Sequence, residues 1–443
     1  MRKSFNAFTY AAYEFGLTAM RPASAMAGAT AEFLAHGANP FSDFWPTRTA
    51  AAALDLFENA VRRYPKPGWH LETTTSNGVE MKVKPETVLR RPFGNLVHFK
   101  REKKALAEAK SGTPDPRVLI VAPLSGHYAT LLRGTVEAML PDHEVFITDW
   151  ADARMVPLAY GRFDLNTYID YLIEFLEHIG PGAHAMAVCQ PGPALLAASA
   201  LMAEDDNAAR PATMTIMGSP IDARRSPTVP NKLAEERPFE WFEENMIFTA
   251  PAPYPGMMRQ VYPGFVQLYS FMSMNAERHR DAHYQYFEHL VAGDGDSAEK
   301  HRAFYDEYLA VLDLTAEFYL QTIREVFQEY RLPNGTFTHH GRLVRPDAIR
   351  DIGLMTVEGE NDDISGIGQT QAAHDLCVNI PADMKIDHVQ EKVGHYGVFN
   401  GSRWQSEIQP RVAEFIRTRF DVARERDFRE QSARGIRLVR SAA

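Results

Sequence analysis

Cysteine is scarce in this chain: 443 residues hold two, Cys189 and Cys377. A secreted protein held by disulfides carries more, so a reducing compartment is expected. Positive charge is also short, with a formal net charge of −10. No basic stripe with interleaved aromatics occurs, which argues against nucleic acid as a partner. No run of about 18 apolar residues is present, so no membrane-spanning helix is expected. Metal-ligand spacings and glycine-rich phosphate loops are missing too, and neither a metal nor a cofactor is expected. Internal repeats are absent.

The remaining composition, 45% hydrophobic and 23% charged, is that of a globular chain with a large core. Residues 1–65 read as helical. Met1-Arg2-Lys3 and Ala25-Met26-Ala27 loosely resemble the ends of a secretory signal, but Glu14 interrupts the stretch between them. The expectation is an amphipathic helix over Phe8 to Met20, packed on the body or touching an apolar surface. A second helix is expected from Thr47 to Arg63. From 68 to 100 the period changes to alternation: Trp69 to Thr73, Glu80 to Val83 and Leu96 to Phe99, with a turn at Ser76-Asn77-Gly78.

Arg117 to Ala122 is a continuous apolar run, as of a strand covered on both faces. Further strands are expected at Glu144 to Thr148, Ala185 to Val188, Ala212 to Met217, Ile352 to Glu358 and Met384 to Val389, and their alternation with helical stretches argues for a parallel, doubly wound sheet. A helix over Phe163 to Ile179 has Asp164 as its expected N-cap. Residues 222–345 hold no convincing buried strand and are rich in aromatics and methionine, ending in a long helix from about Phe304 to Arg331. They read as a helical lid inserted over the sheet's carboxyl edge, with Ala250 to Gly256 as an exposed apolar mouth. The expected division is 1–65 helical, 66–221 and 346–420 core, 222–345 insertion, and a charged, frayed tail over 421–443.

The chain is organised around HAMAVCQPGPALLAASALMA, residues 184–203: a buried strand, a sharp turn and a helix. Cys189 sits at the corner. A nucleophile on a strand–turn–helix corner is pushed out at the carboxyl end of a sheet, usually within G-x-S-x-G. Here the sequence is A-V-C-Q-P, with Ala187 and Pro191 in the glycine positions and Gly192 one residue late. A lone cysteine at a strand end is more often a small buried hydrophobe. Two further positions change its weight. Asp362 follows a later strand, and His395 follows the last one, within G-H-Y-G. Nucleophile, acid and histidine in that chain order are the order of α/β hydrolases. In such a site a thiolate attacks an ester carbonyl, His395 moves the proton, and Asp362 orients the imidazole. The backbone N–H of Gln190 and one from the Leu124–Ser125 loop, taken as that of Ser125, form the oxyanion hole. Leu124, His127 and Tyr396 are candidates for the substrate wall. Asp363, beside Asp362, and His388, near His395, are rivals for the acid and the base.

The motifs A-V-C-Q-P-G (187–192), V-A-P-L-S-G-H (121–127), T-D-W-A-D-A-R-M-V-P (148–157), E-G-E-N-D-D-I-S-G (358–366) and G-H-Y-G-V-F-N-G (394–401) resemble the intracellular poly(3-hydroxybutyrate) depolymerases, the short-chain-length polyhydroxyalkanoate depolymerase family. The resemblance runs nearly end to end, and Cys189, Asp362 and His395 match that family's triad. It implies an α/β-hydrolase fold and hydrolysis of amorphous poly(3-hydroxybutyrate) in cytoplasmic granules to 3-hydroxybutyrate and oligomers. The partner it implies is the polymer or granule surface, and a homo-oligomer stays open. Polyhydroxyalkanoate synthases are similar but place their cysteine in a glycine-flanked box. Three other readings remain open at this point: thiolysis to 3-hydroxybutyryl-CoA, acyl transfer or polymer synthesis, and a granule-binding protein without catalysis.

Overall fold

A computed structural model describes residues 2–274 and 276–433. Its frame is a nine-stranded sheet: β1 (Thr73–Ser76), β2 (Val79–Arg91), β3 (Gly94–Arg101), β4 (Arg117–Val121), β5 (Glu144–Trp150), β6 (His184–Val188), β7 (Thr213–Met217), β8 (Gly353–Gly359) and β9 (Lys385–Gln390), in spatial order β1-β2-β3-β5-β4-β6-β7-β8-β9. The first three strands run antiparallel to their neighbours, and from β5 to β9 every pairing is parallel. β4, β6, β7 and β8 are buried along their whole length, which is why they read as unbroken apolar runs rather than alternations. The order turns at β4, with β5 on one side and β6 on the other. Open α/β sheets place their sites at the carboxyl ends of strands beside such a turn. This sheet order, with the elbow at the end of β6, is the α/β-hydrolase fold.

Helices cover the sheet where expected. Leu165–Ile179 starts at Asp164, whose side chain accepts the Thr167 N–H at 3.0 Å. Gly192–Glu204 is buried on nearly every face. The first strand begins at Thr73, so Trp69 to Leu71 lie before the sheet rather than in it.

Four expectations need correcting. The N-terminal helix is far longer than Phe8 to Met20: it spans Arg2–Ala35 and packs against a second helix, Trp45–Val61. The insertion between β7 and β8 does hold strands, a small sheet of Phe248–Thr249, Gln260–Tyr262 and Leu314–Thr315. These are two or three residues long, too short to leave a periodic signal. The long helix from Phe304 to Arg331 is broken: Gly295–Tyr308 ends, the chain runs extended through Val311 to Thr315, and a new helix starts at Ala316. Tertiary bonds force the break, because Leu312 N–H donates to Gly126 O at 2.7 Å and the Ala153 N–H to Asp313 O at 3.0 Å. Finally, the charged end is not frayed throughout. Val422–Ala433 is a helix whose Glu425 is buried against Arg117 at 2.7 Å, with Phe428 under the same guanidinium. The rest of that tail, 434–443, lies outside the described residues.

The stretch expected as an exposed apolar mouth, Ala250 to Gly256, is a turn that exposes Ala252, Pro253 and Pro255 and is tied to the N-terminal helix and to the loop after β5. Tyr254 Oη donates to Glu14 Oε2 at 2.7 Å, and the Gly256 N–H to Arg154 O at 2.7 Å.

Candidate active site

β6 delivers Cys189 onto a corner the backbone resists. Its φ is +67°, a left-handed conformation that costs a non-glycine residue on the order of 1–3 kcal/mol. Bonds on both sides hold it there. The Cys189 N–H donates to Met217 O at 2.8 Å, and Ser219 Oγ donates to Cys189 O at 2.5 Å. Gly192 has its role one residue further on: a Cβ there would lie 2.4 Å from Ser219 Cβ, so only glycine lets the following helix start this close to β7. The side chain of Cys189 is half-buried, unlike the fully buried strand behind it.

β8 and the loop after β9 bring the acid and the histidine to the same edge. Asp362 Oδ2 meets His395 Nδ1 at 2.8 Å, both side chains buried. Oδ1 accepts the backbone N–H groups of Ile364 at 2.9 Å and Ser365 at 2.8 Å, which fixes the carboxylate in one orientation. Glu358, four residues earlier in the same motif, is buried and holds the next turn through the N–H groups of Gly368, Thr370 and Gln371. Gly218 (φ +54°) closes the cradle, since a Cβ there would stand 3.2 Å from His395 Cε1 and 3.3 Å from Asp362 Oδ2.

His395 Nε2 is buried with no formed hydrogen bond, and the thiol of Cys189 is near enough to act on the ring. Such contacts are often loose before substrate arrives. Burial opposes charging the imidazole, but the negative charges of Cys189 and Asp362 outweigh it and hold the group well above its ordinary range. A histidine held this way is placed to give its proton to a leaving alkoxide.

The rivals fall away from this geometry. His388 is on β9, bonded to Gln390 Oε1 at 3.0 Å. Asp363 is exposed and faces the phenols of Tyr308 and Tyr396.

The loop after β4 lies opposite. Gln190 reaches across it, its Oε1 accepting the Leu124 N–H at 3.2 Å, while Gln267 of the insertion donates to Ser125 O. Leu124 and His127 are buried. His127 does not present an open polar wall: its Nε2 meets Tyr308 O at 3.0 Å, and its backbone bridges Val311. Burial takes its pKa down to about 4, so the imidazole stays neutral and serves as a clasp between loop and insertion. Tyr396 stands next to His395, ring centroids 6.0 Å apart, and 6.3 Å from Tyr308. Burial, then Tyr308 and Cys189, push its phenol well above the usual range, so it stays a neutral hydrogen-bond donor.

Ser219, Gln267 and Tyr308 were not singled out from sequence. Ser219 carried a faint signal, the Gly-Ser-Pro that closes β7. The other two come from the insertion, and nothing in their own neighbourhood points to β4. A cavity of about 580 Å³ opens between the N-terminal helix and the insertion, near Tyr13, Leu17, Phe265, Met272 and Val311. It contains none of Cys189, Asp362 and His395 and is separate from this site.

A family model described as PHB de-polymerase C-terminus matches residues 218–420. The matched region holds Asp362, His395 and the insertion, and begins after Cys189. No curated protein matches the chain. Among solved structures the chain is similar to a thermophilic esterase from Thermogutta terrifontis (12% identity, 79% of this chain and 98% of that chain, TM-score 0.40). It is also similar to a monoacylglycerol lipase from Paleococcus ferrophilus (12%, 69% and 97%, 0.40) and to a soluble variant of monoglyceride lipase from Saccharomyces cerevisiae with a substrate analogue (9%, 81% and 98%, 0.43). These likenesses are distant, and the fold assignment rests on the sheet order and the elbow.

Proposed function

From a chain whose residues 218–420 belong to the PHB de-polymerase C-terminus family, we infer an ester hydrolase of poly(3-hydroxybutyrate) that works through a cysteine acyl-enzyme. The observation that carries this reading is the convergence of three strand ends on one corner: Cys189 at positive φ, and the buried Asp362–His395 pair behind it at 2.8 Å.

The Cys189 thiolate attacks the ester carbonyl carbon. The carbonyl oxygen takes the negative charge and is held by the backbone N–H of Gln190 and that of Ser125, since the Leu124 N–H is engaged by Gln190 Oε1. The intermediate collapses, the C–O bond to the chain breaks, and His395 Nε2 gives its proton to the leaving alkoxide. The neutral imidazole then takes a proton from water as it attacks the thioester. The 3-hydroxybutyryl acid leaves and the thiolate beside a protonated His395 is restored. Asp362 acts through His395, fixing its tautomer by the bond to Nδ1.

The insertion is assigned as a lid. It is tied to the loops after β4 and β5, at the carboxyl edge where Cys189 lies, through Val311, Leu312 and Asp313. Tyr308, Tyr396 and Leu124 are assigned to the substrate wall, and the setting is a cytoplasmic granule of amorphous polymer. Ala187 and Pro191, standing in the two glycine positions of the elbow, favour this reading over a glycine-flanked synthase elbow.

The decisive comparison is wild type against Cys189→Ala on amorphous poly(3-hydroxybutyrate) particles, following release of 3-hydroxybutyrate. The variant is expected to release none. Unchanged release overturns the reading, and release of 3-hydroxybutyryl-CoA only when coenzyme A is added replaces hydrolysis by thiolysis.

A further inference from the structure

The N-terminal helix turns a line of large apolar side chains to solvent. At about 100° per residue, Phe8, Phe15, Met26 and Phe33 fall on a single line within about 20°. Phe8 and Met26, and Phe15 and Phe33, are each about five whole turns apart. All four face solvent, at 72, 75, 72 and 68% exposure. The opposite face packs on the body through Tyr10, Ala27 and Ala31 together with the polar Glu14 and Ser24, with Glu14 paired to Arg63 and to Arg154. From Phe8 to Leu34, every residue within about 80° of the apolar line is uncharged, mostly alanine between the large side chains. The line continues into the turn to the second helix, where Phe41 and Trp45 are also exposed. A helix against water does the reverse, turning charges out and phenylalanines in.

We propose that this stripe is the surface by which the protein adsorbs to an uncharged, water-insoluble aliphatic polyester, the bulk face of its substrate; the proposal rests on the function inferred above. The charge pattern selects this occupant. A helix lying on an anionic lipid surface carries lysines and arginines beside its apolar face, and this stripe has none, on a chain of net charge −10. A coiled-coil partner needs charged flanking positions to set register, and alanines stand there instead. A second copy is also poorly served by area. The stripe is about 37 Å long and about 10 Å wide, close to 370 Å², about half of the roughly 800 Å² per partner in a stable protein interface. A bulk polymer asks for neither shape complementarity nor a fixed register. It needs an apolar, neutral strip anchored to the body, which the Glu14–Arg63 and Glu14–Arg154 pairs and the Tyr10–Asp313 hydrogen bond at 2.7 Å provide.

The test separates adsorption from chemistry. Full-length Cys189→Ala protein is sedimented with amorphous poly(3-hydroxybutyrate) particles and, separately, with anionic phospholipid vesicles. Adding Phe8→Ser, Phe15→Ser, Met26→Ser and Phe33→Ser is expected to cut binding to the particles at least tenfold. With Cys189 restored, the same stripe variant should keep its rate on a soluble 3-hydroxybutyrate ester and lose at least tenfold on particles. The single variant Phe15→Asp, at a fully solvated position, checks that folding is not the cause and is expected to show part of the same loss. Undiminished particle binding by the stripe variant overturns the proposal. So does light scattering that shows the substitutions turning a dimer into a monomer, or binding that follows the vesicles and not the polyester. If wild type adsorbs through the stripe yet releases no acid, the inferred function fails while the adsorption surface stands.

Discussion

The two cysteines make an internal control. Cys189 ends a buried strand, is forced to a φ of +67°, stays half-buried, and sits against a histidine held by a carboxylate. Cys377 follows the short helix Ala373–Leu376 with an ordinary backbone, is fully buried in the core, and has its thiol pushed up to about 12 by that burial, which Lys385 only partly offsets. One is packed as a filler, and the other is the nucleophile of the proposed reaction. Backbone strain and neighbours separate them, because the residue type is the same.

Removing the neighbours should carry Cys189 toward the condition of Cys377, and the largest step is Asp362→Asn. The carboxylate holds the His395 tautomer, and its charge is one of the two that keep the imidazole protonated against burial. A loss in kcat on the order of 10³–10⁴ is expected, as for other triads that lose the acid's charge. The sign of the pH effect is fixed as well. Without the Asp362 charge, burial pulls the imidazole pKa down, so the alkaline limb of the kcat profile should move to lower pH. A profile that falls in height without moving would place the acid elsewhere, and a larger effect from Asp363→Asn would shift it by one residue.

A smaller perturbation is Gly218→Ala, which leaves every triad group in place and crowds two of them. Its Cβ would stand 3.2 Å from His395 and 3.3 Å from Asp362, at a φ that strains alanine. Displacements of about 1 Å at a reacting group can cost on the order of 10²-fold, so a fall of roughly 10- to 100-fold in kcat is expected, with KM little changed. Full activity would mean that the cradle is looser than these distances imply.

The same contrast explains what was legible in the sequence. The core strands were legible because burial on both faces leaves an unbroken apolar run, and Asp362 because it follows such a run; His395 follows the half-exposed edge strand β9 and was legible from its glycine-flanked loop. Periodicity also found the N-terminal helix, but it could not say which face turns inward. Leu165–Ile179 buries Tyr168, Leu172 and Phe175, whereas Arg2–Ala35 buries Tyr10 and Glu14 and exposes Phe8 and Phe15. Both have a repeat near 3.6, and only tertiary contacts tell them apart. The clasp between His127 and Tyr308, and the bond from Gln267 to Ser125, were illegible for a different reason. They join residues more than 140 positions apart through backbone carbonyls, which leave no mark in side-chain pattern. The break in the Phe304 to Arg331 helix belongs with them, since the residues across it are helix-tolerant and the pull of Gly126 and Ala153 comes from outside.

The smallest expected effect is the sharpest on the comparison, because it reverses sign between the two sites. Replace each cysteine by alanine and by glycine, and measure unfolding in urea. At Cys377, φ is −90° and the side chain fills core, so alanine should be the more stable of the pair: glycine loses the remaining methyl and adds freedom to the unfolded chain, a difference of about 1 kcal/mol. At Cys189 the positive φ penalises any Cβ, and only half of the side chain is buried. Glycine should be the more stable there, again by about 1 kcal/mol, because relief of the left-handed strain exceeds the entropy it adds. On the proposed mechanism neither Cys189 variant carries the reaction, so stability gained by Cys189→Gly should come with loss of activity. If alanine is preferred at both positions, the corner at Cys189 is not strained as drawn, and the difference between the two thiols reduces to His395 and Asp362 alone.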